Sequence, residues 1–183
     1  MAESLNSDCR SYAGYVGTYS VEDQSQIKIL QEMEIKIDAA GPGPDQDQAR
    51  PHQVAFDPTG QYMVSPDLGA DLIRTFRIAP DHQVKEIEGL SLPKGSFPRH
   101  AAFVALKDRV QLYVLLQELN ELLVYKVEYL AAGGFAFTKE DGFPLVTGTD
   151  GKGIVHSNEN YLKASHLAIS VSAVSHPFLI QRG

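Results

Sequence analysis

The chain has 183 residues, 43% hydrophobic and 21% charged, with a formal net charge of -7 and one cysteine. That composition is ordinary for one folded domain and excludes disordered and collagen-like chains. An acidic balance without clustered Lys and Arg suits neither nucleic acid nor anionic membrane surfaces, so neither is expected as a partner. Cys9 has no partner for an internal disulfide, no Cys/His spacing fits zinc, and no apolar run approaches a membrane span. The N-terminus lacks the apolar stretch of a signal peptide; residues 1–10 read as disordered, and a soluble cytoplasmic chain is expected.

In chain order the pattern predicts short strands. Gln26 to Ile37 carries apolar Ile27, Ile29, Met33, Ile35 and Ile37, which favours a strand pair, with a helix as the rival reading. Residues 39–51, rich in Gly, Pro and Asp, predict a loop. Val54 to Phe56 and Tyr62 to Val64 predict strands joined by the turn Asp57-Pro58-Thr59-Gly60. A second turn at Pro66-Asp67-Leu68-Gly69 leads into a strand from Asp71 to Ile78. Leu112 to Val127 has the look of an amphipathic helix but reads as two strands around a turn near Glu118 to Glu121.

The pattern then repeats. Arg50-Pro51-His52-Gln53-Val54-Ala55-Phe56 aligns with Phe97-Pro98-Arg99-His100-Ala101-Ala102-Phe103, and Pro51 and Pro98 lie 47 positions apart. Asp71 to Ile78 aligns with Asn120 to Val127 at a spacing of 49. A fainter third echo is Ala164-Ser165-His166-Leu167-Ala168-Ile169-Ser170. Short strands recurring every 40–50 residues predict propeller blades. Blade-like units are expected at about 11–49, 50–96 and 97–163, with 164–183 a degenerate start of another, all within one incomplete domain 1–183.

Residues 51–78 and 97–127 resemble the lactonase-type seven-bladed β-propeller family, which includes 6-phosphogluconolactonases and fungal carboxy-cis,cis-muconate cyclases. The segment AGPGPDQDQARPHQ before and through His52, followed by PDLGAD, looks closer to the cyclase branch. The resemblance implies an all-β fold of four-stranded antiparallel sheets. It also implies a fragment of about half the family length, holding some three of seven blades. Open blade edges would then favour self-association.

Equivalent positions in successive blades line one face of a propeller's central channel, so His52 and Arg99 should converge. By resemblance, the family's catalytic His, Arg and Glu fall on His52, Arg99 and Glu118, and a fourth residue, an Arg, lies in a later blade or near Arg182. His52 would move a proton, Arg99 would clamp a carboxylate or phosphate, and Glu118 would orient the imidazole. The implied activity is cyclisation of a carboxylated muconate, impaired by truncation, in the setting of aromatic catabolism. Alternatives are hydrolysis of a 6-phosphogluconolactone-like sugar lactone and a non-catalytic fragment. A small anionic substrate is implied, and no cofactor or metal. The plain alternative for the three residues is a set of solvated surface pairs. His100 reads as a strand residue facing away from Arg99, Asp67 and Asp71 as turn and hydrogen-bonding residues. His82, His156 and His176 read as solvated loop residues and His166 as an outside candidate. Gly148 to Gly153 lacks the spacing of a phosphate loop.

Overall fold

The computed structural model describes residues 14–23, 26–145, 164–169 and 178–182. Among them are twelve strands and no helix. Strands β1 (Tyr15–Asp23) and β2 (Gln26–Glu34) form an antiparallel pair, and β11 (Ala164–Ile169) and β12 (Phe178–Arg182) form another. Between them lie two four-stranded antiparallel meanders. The first comprises β3 (Ala55–Phe56), β4 (Tyr62–Asp67), β5 (Leu72–Ile78) and β6 (Val84–Ser91). The second comprises β7 (Pro98–Ala105), β8 (Val110–Leu116), β9 (Glu121–Tyr129) and β10 (Phe135–Pro144). Strand β7 packs against β3 and β4 on one side and against β11 on the other. The sheets therefore follow one another as blades in an arc of a β-propeller, with β3, β7 and β11 on the inner edge. The expected residues 1–10, and His156 and His176, lie outside the described residues.

Burial on both faces explains why β8 resembles a helix in sequence. Leu112, Val114 and Leu116 pack towards the first meander, with Val64, Ile73, Leu123 and Tyr125. Tyr113 and Leu115 face the opposite way, with Leu122, Val124 and Leu167. A strand covered on both sides needs no polar alternation, so its apolar run carries no period-2 signal. The turn expected near Glu118 to Glu121 separates β8 from β9 as read from the repeat.

Two sequence expectations need correction. The segment from Gln26 to Ile37 holds one strand, β2, ending at Glu34, not a pair, and its partner is the upstream β1. A register shift at Thr18/Tyr19 passes over Leu30, so the apolar phase changes there. Ile27 and Ile29 point outward, at 70% and 55% exposure, while Ile35 is buried with Val16, Met63, Phe76 and Val84. The turn expected at 66–69 also lies further on, because β4 continues through Pro66 and Asp67. The Asp67 carboxylate accepts the backbone N–H groups of Arg50 and Gly69 at 2.7 and 2.9 Å, and Pro51 bridges to Asp67. The incoming loop is thus stitched onto β4 and extends it.

Candidate active site

Each candidate side chain is set by the start or end of one of the first two strands of a blade. His52 precedes β3, and its N–H donates to the Pro66 carbonyl at 2.9 Å. Arg99 is the second residue of β7, one repeat later, and Glu118 lies in the turn after β8. Arg99 Nη1 donates to Gln117 Oε1 at 2.7 Å, and Gln117 Nε2 donates to Glu118 Oε1 at 3.3 Å. His52 sits close enough to Arg99 to feel its charge. Burial first, then that guanidinium, pushes the imidazole pKa down to about 4, against an opposing hydrogen bond with the Arg99 backbone. His52 is therefore a neutral imidazole at neutral pH, and its Nδ1 is buried without a hydrogen-bond partner. Partial burial also lowers the Arg99 pKa, although a guanidinium stays charged.

His52 and Arg99 are therefore neighbours, and Arg99 is linked to Glu118 through Gln117. Sequence reasoning missed Gln117, because it has no equivalent in the repeat that would single it out. His100 is a buried strand residue as expected, but it also touches the site, since its ring centroid lies 5.2 Å from that of His52. The His166 ring stands 4.8 Å beyond, making a row of three imidazoles. Burial, then the neighbouring His52, His166 and Arg99, lowers the His100 pKa to about 4. Its Nδ1 accepts the Leu167 N–H at 3.2 Å, so it acts as a tie between sheets. Gln53, at the same repeat position, accepts the Ala101 N–H at 2.8 Å. The shared position of Gln53 and His100 was the readable signal for that role.

A cleft of about 550 Å³ opens beside Glu118, between the loop of Pro42, Gly43, Pro44 and Asp45 and the segment Lys94, Gly95 and Phe97. Its walls are held firmly. The Asp71 carboxylate accepts the Gly95 N–H at 2.6 Å, the Phe97 N–H at 3.0 Å and the Ser96 hydroxyl at 3.2 Å. Phe97 and Ser96 carbonyls then accept the N–H groups of Gln117 and Glu118 at 3.0 and 3.4 Å. On the other wall, any side chain at Gly43 would collide with the Phe97 ring, so the loop approaches as closely as it does only with glycine there. Asp67 is buried in an ion pair with Arg74 at 2.7 Å. Asp67 and Asp71 thus have the hydrogen-bonding roles expected of them. Arg182 lies in β12 opposite Ala164, and His82 occupies a turn at φ 64°. Among the described residues no His, Cys, Asp or Glu cluster has an arrangement fit for a metal ion.

An arc of four-stranded blades with polar residues at equivalent inner positions defines a β-propeller class of protein. The chain belongs to the lactonase, 7-bladed beta-propeller family, whose profile matches residues 10–170. It is 34% identical over 113 residues to a "Probable 6-phosphogluconolactonase" of Arthroderma benhamiae, covering 61% of this chain and 29% of that protein. A Lactobacillus plantarum protein of known structure superposes with a TM-score of 0.71 at 19% identity, over 93% of this chain and 45% of the other. The periplasmic gluconolactonase of Pseudomonas aeruginosa gives 0.63 at 22% identity, over 86% and 41%. The chain thus spans less than half the length of each of these relatives.

Proposed function

We propose that the chain carries one wall of a sugar-lactone hydrolase site of the 6-phosphogluconolactonase type. The observation that supports it is the pairing of a neutral His52 with the Arg99 guanidinium at equivalent positions of neighbouring blades. The names of the relatives favour lactone hydrolysis over the muconate cyclisation expected from the sequence.

The chemistry needs a base, an anion clamp and an oxyanion partner. A water oxygen attacks the lactone carbonyl carbon while His52 takes its proton. Arg99, oriented by Gln117, faces the oxygen that gains negative charge. Collapse of the tetrahedral intermediate breaks the ring C–O bond, and the proton on His52 passes to the departing hydroxyl. The product is an open-chain acid. An anionic substrate partly neutralises Arg99, which removes one of the causes that lower the His52 pKa and brings the base nearer its working range. Glu118 holds Gln117 and thereby the guanidinium.

Calorimetric titration of 6-phosphogluconate, the product, tests the clamp without requiring turnover. The expected result is measurable binding that weakens by about one to two decades in Arg99→Ala, the loss typical of a charge-assisted contact. Release of acid from 6-phosphogluconolactone should exceed the spontaneous rate only slightly and fall to it in His52→Ala. Absence of product binding, or binding indifferent to Arg99→Ala, overturns the reading.

A further inference from the structure

The cleft beside Glu118 is pre-formed, because buried side chains fix both of its walls. Gln46, which follows the loop of residues 42–45, is fully buried. Its Oε1 accepts the Gly43 N–H at 3.0 Å, and its Nε2 donates to the Leu68 carbonyl at 2.8 Å. Its backbone closes the loop as well, since the Gly41 N–H donates to the Gln46 carbonyl at 2.7 Å. Across the cleft, Asp71 holds Gly95 at φ 75° and Phe97 at φ 50° through their N–H groups. A bulky residue rarely adopts that left-handed region, and residues held there concentrate at ligand-binding positions. Walls set this rigidly spare a ligand the cost of ordering a loop.

The charges that line the cleft are of both signs. Asp45 and Glu118 bring two carboxylates and Lys94 one ammonium, among Pro42, Pro44 and Phe97. A dianionic phosphate would enter a net negative cleft, and juxtaposed like charges are costly. An organic cation would meet Lys94 in the same space and, with Phe97 only 6% exposed, would find no open ring face to sit over. A neutral hydroxylated ligand uses every group present. Its hydroxyl hydrogens go to Asp45 and Glu118, and a hydroxyl oxygen accepts from Lys94. Its C–H surface packs on the two prolines. The cleft volume of about 550 Å³ lies in the range of small-molecule pockets and exceeds what one phosphate fills.

The cleft also adjoins the anion clamp. Gln117 accepts from Arg99 at 2.7 Å and donates to Glu118 at 3.3 Å, so one side chain spans from the guanidinium to the cleft wall. A sugar acid whose carboxylate rests on Arg99 therefore reaches the cleft with its next sugar unit. We infer that the cleft is a subsite for a neutral glycosyl unit, so that the site takes aldonic acids and lactones bearing a glycosyl substituent. This rests on the lactone reading for the position of the carboxylate, while the cleft supplies the preference for the substituent.

Calorimetric titration of the 183-residue chain with gluconate and with lactobionate, a gluconate carrying a neutral galactosyl unit, measures that preference. Lactobionate should bind about tenfold more tightly, the gain from one added hydrogen bond to a charged group. Asp45→Ala and Lys94→Ala should each reduce that ratio by about fivefold. Both side chains are exposed, so their removal leaves the core untouched. The ratio is the readout because a general disturbance of the fold weakens both ligands alike. No binding of lactobionate, a ratio near one, or a ratio unmoved by both variants overturns the inference. If 6-phosphogluconate then still binds in an Arg99-dependent manner, the lactone reading stands without it. Lactobionate binding that depends on Asp45 and Lys94 but not on Arg99 supports the cleft and overturns the clamp. A Lys94→Ala change that weakens 6-phosphogluconate and spares lactobionate makes the cleft a phosphate subsite and overturns the inference.

Discussion

The Gln53 side chain accepts the Ala101 amide at 2.8 Å from the preceding blade, and His100 makes the equivalent bond to Leu167 at 3.2 Å. Different side chains in one repeat position thus perform one task, which predicts how they exchange. Gln53→Ala leaves the Ala101 N–H without its acceptor and should cost about 1–3 kcal/mol. Gln53→His should cost less, because an imidazole nitrogen already serves at His100. Urea denaturation of the three proteins measures the difference, and equal losses for Ala and His would refute the exchange.

Stability should fall as pH drops from about 7 to 4. The folded pKa values of His52 and His100 lie near 4, below the ordinary imidazole value of 6.5. Between those values the unfolded chain binds more protons, so stability rises with pH across that window and is lost on acidification. With solvent screening the His100 contribution should be about 1–2 kcal/mol. His100→Gln, which keeps an acceptor for Leu167 and removes the titration, should flatten the slope; thermal melts from pH 4 to 7 provide the check.

Asp71 holds three donors of the 95–97 segment while itself at φ 50°. Asp71→Ala should lose about 2–4 kcal/mol, combining three unmade bonds with a left-handed conformation that alanine disfavours. Asp71→Asn tolerates that conformation and keeps one acceptor oxygen, so its loss should be smaller. Because this segment carries the carbonyls that receive Gln117 and Glu118, the alanine variant should also weaken 6-phosphogluconate binding.

Arg74 is buried and bonds Asp67, Glu86 and the Lys36 carbonyl, at 2.7, 2.6 and 3.2 Å. Arg74→Leu strands the Asp67 charge in the core and should cost about 3–5 kcal/mol. Adding Asp67→Asn should recover part of that, since the unpaired charge and not the lost pair dominates the penalty. Denaturation of the single and double variants tests it, and a strictly additive double variant would contradict the account.

The sequence by itself determined the strands, their repeat and the family. It also placed His52 and Arg99 at equivalent positions, because the 47-residue spacing records blade geometry directly. It misjudged Gln26 to Ile37, since a bulge at Leu30 reverses the apolar phase in a way that residue types do not announce. Only the tertiary structure decided what surrounds each group. Gln117 joins Arg99 to Glu118 because the end of β8 pairs with the start of β7 there. His100 and His166 align with His52 because three sheets converge on one edge. The depressed histidine pKa values follow from burial and from a neighbouring guanidinium. Such effects depend on distances between residues far apart in the chain, which repeat spacing locates only to the level of the blade.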